Sequence, residues 1–310
     1  MSTPQTLSLL TTGGTIACTT DATGALIPTL SGEDVAAPLR TRFDPEHLRL
    51  RVRALGRLDS SSLRLDEVDS LVSVVHQELR DPSVTGVIVT HGTDSLEETA
   101  LALDCFHRDD RPVILTGAMR PSDAPAPDDP GNLFAACTIA LDPTARGMGT
   151  LIVMGNKVLP ARGTIKVDTS APDAFAYLGP AEPQRPAPLP VAPLTGHRVD
   201  IVAAYPGAPR TLIDAPVAAG AHGLVIEAMG AGNVGTDLAR GIEDALDKGV
   251  PVVVTTRAHR GEVRFDYGGP GGGASLGARG AVGAGYLRAG QARMALLVAL
   301  AAGVDPRDVL

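Results

Sequence analysis

Gly86-Val87-Ile88-Val89-Thr90-His91-Gly92-Thr93-Asp94-Ser95-Leu96-Glu97-Glu98 decides the fold. Its β-branched opening carries no polar alternation, so a strand over Gly86–Thr90 must be covered on both faces, as in a parallel sheet. Ser95 and Glu98 then fit an S-x-x-E capping box opening a helix expected over Ser95–Arg108. A buried strand feeding a helix through a short glycine-containing loop is a βα unit, and the same alternation extends in both directions. Upstream lie a first strand at Leu7–Thr11, another at Leu48–Leu55, and Leu65, Val68, Leu71, Val72, Val75 and Leu79 at helical spacing. Downstream come a strand at Pro112–Thr116, a helix over Asn132–Leu141 and a strand at Thr150–Met154. Lys157–Thr169 reads as a hairpin that ends the parallel pattern. The expectation is an α/β protein whose N-terminal domain is a doubly wound, mostly parallel sheet.

Six prolines between Pro180 and Pro193 favour a stiff extended spacer and exclude a helix or central strand. The boundary is therefore placed there, giving a catalytic domain over 1–185, a linker over 186–198 and a smaller α/β domain over 199–310. In the latter, strands are expected at Val199–Ala204, Gly223–Glu227 and Val250–Thr255, with helices near Leu238–Lys248 and Ala289–Ala302. The glycines of Gly268–Gly285 suggest an irregular, mobile loop.

The chain has 310 residues, 44% of them apolar and 20% charged, which is ordinary globular composition. Its net charge of −8 and 3% aromatic content leave little surface for phosphates or stacked bases, so no nucleic-acid partner is expected. Cys18, Cys105 and Cys137 form no C-x-x-C pair, which argues against disulfides and a zinc ribbon. Met1–Leu10 lacks the basic and apolar segments of a secretory signal, and the longest apolar run, Met294–Val304, is too short to span a bilayer. A soluble cytoplasmic protein without membrane attachment is expected.

Two motifs are discounted. Gly230-Ala231-Gly232-Asn233-Val234-Gly235 matches the dinucleotide fingerprint, but the next strand ends in Thr255, Thr256 and Arg257 where an acidic ribose ligand belongs. Gly273-Ala274-Ser275-Leu276-Gly277 matches a nucleophile elbow, yet the last histidine, His259, precedes the serine, against the chain order of that triad.

Chemistry concentrates instead at two strand ends. In Thr11-Thr12-Gly13-Gly14-Thr15-Ile16-Ala17, paired glycines allow a tight turn that leaves Thr15 at the carboxyl edge of the sheet, where open α/β sheets bind ligands. In Thr90–Glu98, Thr93 and Asp94 fall at a helix N-terminus, a favourable place for an anion. His91 is assigned to packing, and Cys18 has no histidine near it in sequence.

With these motifs, Thr12-Gly13-Gly14-Thr15-Ile16-Ala17, Thr90–Thr99, Thr116-Gly117-Ala118-Met119-Arg120-Pro121 and Lys166, the chain resembles the bacterial-type L-asparaginase family nearly end to end. The resemblance implies hydrolysis of L-asparagine to aspartate and ammonia without metal or organic cofactor, and a homo-oligomer, a dimer or tetramer. It implies Thr15 as nucleophile, with Thr93, Asp94 and Lys166 as the second catalytic group and Asp94 also meeting the substrate ammonium. Ser60 and Ser61, in Asp59-Ser60-Ser61, match the substrate clamp, with Gly14 beside the substrate. An alcohol needs a base at neutral pH, and a lysine in a poorly hydrated site is one such group.

The family's lid tyrosine has no counterpart here: Leu26 occupies the matching segment and the first tyrosine is Tyr177. An aliphatic side chain excludes water but relays no proton. No Asp or Glu lies between Tyr267 and Leu287, leaving Asp94, with backbone carbonyls or Asn233, for the ammonium. That implies modest affinity. Three readings compete: a glutaminase, a degenerate amino-acid-binding module, and an amidotransferase subunit, the last disfavoured because only about ten residues precede the first motif.

Overall fold

The computed structural model describes residues 4–310, and the chain divides into two compact units, one ending at Tyr177 and the other Leu178–Leu310. The first unit is built on a six-stranded sheet. Its order is β4 (Leu48–Leu58), β1 (Gln5–Gly13), β5 (Val84–Thr90), β6 (Val113–Thr116), β7 (Thr150–Met154) and β8 (Lys157–Pro160). The first five strands are parallel and β8 is antiparallel to β7. The α/β, mostly parallel expectation is met.

Leu7 and Leu9 point to one face, where Val35 and Leu39 of α1 (Gly32–Arg42) and Leu133, Ala136 and Cys137 of α4 (Asp129–Leu141) close a core with Ile88 and Ile114. Ser8 alternates with them and faces α2 (Leu65–Leu79), donating to the buried Glu78 at 3.0 Å. Glu78 is also paired to Arg51 at 3.3 Å and Arg53 at 3.2 Å, so a buried carboxylate ties β4 and β1 to α2. Alongside α2 lies α3 (Leu96–Phe106). From β1 the chain goes to β4 on one side, then to β5 on the other. This makes β1 the switch point, where the carboxyl ends leave a crevice.

Several expectations change. Lys157–Thr169 is no hairpin: β8 joins the main sheet beside β7, and β9 (Thr164–Lys166) pairs with β10 (Phe175–Tyr177). The reason is that Ala161–Gly163 turns the chain away after Pro160. A small antiparallel hairpin, β2 (Cys18–Thr20) with β3 (Leu26–Pro28), and helix α1 had no clear sequence signal, the latter because Pro38 lies inside it.

The second unit carries four parallel strands in sequence order, β11 (Val199–Ala203), β12 (Gly223–Ala228), β13 (Val252–Thr256) and β14 (Val282–Gly283). Its helices are α5 (Thr211–Ala218), α6 (Thr236–Asp247), α7 (Gly273–Ala278) and α8 (Ala289–Ala302). Helix α5 went unanticipated because it contains Pro216. The Gly268–Gly285 segment is not wholly irregular: α7 and β14 lie within it, and Ser275 sits inside α7. Residues 178–198 form no helix or strand.

At the switch point three backbones converge. Gly14 has φ of 84°, and a methyl group there would stand 2.5 Å from the N and Cα of Gly92. A methyl on Gly92 would meet Ser60 Oγ at 2.4 Å. The Thr12 hydroxyl donates to the Thr90 carbonyl at 2.8 Å, locking the ends of β1 and β5 together. Gly14→Ala should therefore cost about 2–4 kcal/mol, from left-handed strain plus overpacking against backbone that cannot yield. Gly131→Ala in α4, where nothing lies within 4 Å, should be neutral or stabilising by up to about 1 kcal/mol. Urea unfolding midpoints of the two variants check the contrast.

Candidate active site

Thr15 opens a single 3-10 turn, Thr15–Ala17, directly after β1. Ile16 and Ala17 are buried and pin the turn, which leaves Thr15 partly exposed. Cys18 closes it by donating its thiol to the Gly14 carbonyl at 3.3 Å. Burial, reinforced by the charge of Asp59, pushes the Cys18 thiol up, so it remains a neutral thiol.

The second group forms from two distant segments. Lys166, on β9, places Nζ 2.9 Å from Thr93 Oγ1 and 2.8 Å from Asp94 Oδ1. Thr93 is buried, the lysine side chain is 20% exposed, and Asp94 at 60% opens to solvent. The position of Lys166 is fixed through its main chain, whose N–H donates to the carboxyl of Glu97 in the first turn of α3. Burial pushes Glu97 up to about 8, with the charge of Glu98 adding to the rise and the N–H and charge of Lys166 opposing it.

The expected capping box does not form. The Ser95 hydroxyl makes no cap bond and donates instead to the Ser60 carbonyl at 2.6 Å, because the segment 59–62 lies across the start of α3. Ser60 is buried there, and its Oγ accepts the Asp94 N–H at 3.4 Å. Ser61 is exposed: its N–H and its hydroxyl donate to Asp59 at 3.0 Å and 2.9 Å, and these serine bonds hold the Asp59 carboxyl below its ordinary range.

A cleft of roughly 300 Å³ joins these pieces, and Thr15, Thr93, Asp94, Ser60, Gly14 and Leu26 line it. Both threonines thus face one small volume, with Lys166 behind the second. Leu26, 48% exposed, reaches the cleft from β3, the position at which the sequence lacks a phenol. The His91 ring is buried with Nδ1 2.7 Å from the Gly92 carbonyl, and burial depresses its pKa, which keeps it neutral and structural. Asn233 Oδ1 accepts the Gly273 N–H at 3.1 Å within the second unit, a bond that occupies its carbonyl. Among the described residues no group of His, Cys, Asp and Glu is arranged to hold a metal, and no helix is long and apolar enough to cross a membrane.

The arrangement supplies one alcohol at the cleft, a second alcohol wired to an amine, and an acid beside that amine, groups that acyl transfer to water can use. Glu97 and Arg57, a further residue at the cleft, escaped the sequence reading. Glu97 was visible only as half of a Glu-Glu pair in a helix start, and Arg57 as one of several arginines in β4.

Residues 6–183 match the family described as "Asparaginase, N-terminal", and residues 198–309 match "Glutaminase/Asparaginase C-terminal domain". A probable L-asparaginase of Deinococcus radiodurans is 44% identical over 239 residues, covering 72% of this chain and 73% of that protein. An L-asparaginase of Bacillus licheniformis is 33% identical over 288 residues, covering 85% and 86%. The crystal structure of a probable cytoplasmic L-asparaginase from Campylobacter jejuni superposes with a TM-score of 0.85 at 27% identity, covering 98% of both chains. With both units matched in order and a fold shared from end to end, the chain belongs to the asparaginase family.

Proposed function

We propose that this protein hydrolyses the side-chain amide of L-asparagine to L-aspartate and ammonia, with Thr15 as nucleophile. The observation that carries the reading is the single cleft lined by Thr15 and Thr93, with Lys166 Nζ 2.9 Å from the Thr93 hydroxyl. Thr15 Oγ1 attacks the amide carbon, the C–O bond forms, and the proton it loses passes to the departing nitrogen, which leaves as ammonia when the C–N bond breaks. Water then attacks the resulting ester, gives up a proton through Thr93 and Lys166, and releases aspartate while Thr15 regains its hydrogen. Asp94 balances the amine and, being open to solvent, also meets the substrate ammonium. Ser60 and the glycine turn at Gly14 seat the rest of the amino acid, while the Ser61 hydroxyl acts through Asp59.

Leu26 takes no proton in this scheme. Activation of the alcohols rests on Thr93 and Lys166, and Leu26 contributes by excluding water. We further propose a cytoplasmic homo-oligomer. The Campylobacter relative, a probable cytoplasmic L-asparaginase, supports the compartment, and the family resemblance supports the assembly.

Thr15→Ala, Thr93→Ala and Lys166→Met should each lower kcat for asparagine by about 10³-fold or more, a range ordinary for acid, base and nucleophile removal. Ammonia release by purified variants checks this, and near-normal turnover in either threonine variant would refute the mechanism. A second expectation concerns Glu97. Its native pKa of about 8 stands above the ordinary 4.5, so the folded protein keeps a proton that the unfolded chain has already lost. The resulting stabilisation is complete below about pH 4.5 and is lost as pH rises through about 8. Glu97→Gln, neutral throughout, should flatten the decline in melting temperature across that interval in calorimetry.

A further inference from the structure

The cleft has a wall that the chemistry leaves unexplained. In the β2–β3 hairpin Cys18 stands opposite Pro28 and Thr20 opposite Leu26, so the strand that brings Leu26 and Pro28 to the cleft is paired to the backbone just beyond Thr15. Leu26 and Ile27 are 48% and 41% exposed. With so little apolar burial, such a hairpin depends on polar ties for its position.

The inner strand is tied to the loop after β6. The Asp123 carboxylate accepts the Thr20 N–H at 2.8 Å and the Thr20 hydroxyl at 3.2 Å, and Ser122 donates its N–H to the Cys18 carbonyl at 3.2 Å. The outer strand is tied differently. Arg57, at the end of β4, donates from Nη1 to the Pro28 carbonyl at 3.0 Å and from Nη2 to the Thr29 carbonyl at 3.5 Å. The same arginine lines the cleft, beside Leu58 and Asp59.

We propose that Arg57 is a positioning residue whose guanidinium fork holds β3, and with it Leu26, as a fixed wall over the cleft. The inference rests on the reading of that cleft as the asparagine site. Where a phenol would anchor a lid through the nucleophile, here the anchor is a cation gripping two main-chain carbonyls from outside. A planar fork spans adjacent carbonyls, and a lysine at the same place offers one compact donor group. The wall adds the same binding free energy before and during reaction, so its loss acts on substrate affinity more than on turnover.

The test compares full-length wild type, Arg57→Ala and Arg57→Lys by amide hydrogen exchange and steady-state kinetics with asparagine. Expected for Arg57→Ala is roughly 10-fold faster exchange over residues 18–27 with β1 and α3 unchanged, and a KM raised about 10-fold with kcat within about 3-fold. Arg57→Lys should recover part of both. Unchanged hairpin exchange in Arg57→Ala would overturn the proposal, and so would faster exchange with an unchanged KM. The exchange measurement needs no substrate, so it judges the tether even if wild type fails to hydrolyse asparagine, a result that would strike the proposed function instead.

Discussion

The site depends on backbone meeting backbone at Gly14 and Gly92. Neither position has room for a side chain, because each would drive a methyl group to within 2.5 Å of the neighbouring loop. With those glycines in place, the turn after β1, the turn after β5 and the segment after β4 close on one another at the carboxyl edge of a parallel sheet. Apart from Leu26 and Pro28 of β3, the cleft residues come from those three segments or from the strand ends that adjoin them, Cys18 of β2 and Arg57 and Leu58 of β4. The sheet provides rigidity and the glycines provide proximity. Two alcohols that are 78 residues apart in sequence thereby share one small volume.

Charge is delivered by a different route. Lys166 arrives from β9, beyond the parallel sheet, and its amine meets Thr93 and Asp94 with its main chain held by Glu97 and by the pairing of β9 with β10. A carboxyl kept neutral by burial accepts that N–H without adding a second negative charge beside Asp94. One turn of α3 therefore does two jobs: its approach carries the Thr93 hydroxyl, and its first buried acid registers the strand that brings the amine.

Much of this was legible in the sequence, for identifiable reasons. Unbroken β-branched runs such as Val87–Val89 mark buried parallel strands, and α8 appeared with the expected limits because its apolar run is long and ends at Gly303. Thr15, Thr93, Asp94 and Lys166 were readable through their motifs, and the structure draws Thr93, Asp94 and Lys166 into contact. Contacts between remote polar groups were not legible. Ser95 followed by Glu98 reads as a cap until the Ser60 carbonyl is known to lie above it. Helices with internal prolines, α1 and α5, defeat a period search because the local signal opposes the tertiary packing that sustains them.

The two outer strands of the larger sheet carry a consequence of their own. On one border, β4 reads Leu48-Arg49-Leu50-Arg51-Val52-Arg53, with Arg51 and Arg53 bound to Glu78. On the other, β8 has four residues, starts with Lys157 bonded to Asp173 and ends at Pro160, which has no N–H to offer. Cationic and proline-capped borders discourage strand-by-strand growth into fibrils. A protein whose inner strands are nearly continuous Val, Ile and Leu can therefore accumulate in a crowded cell while its most adhesive surfaces stay sequestered.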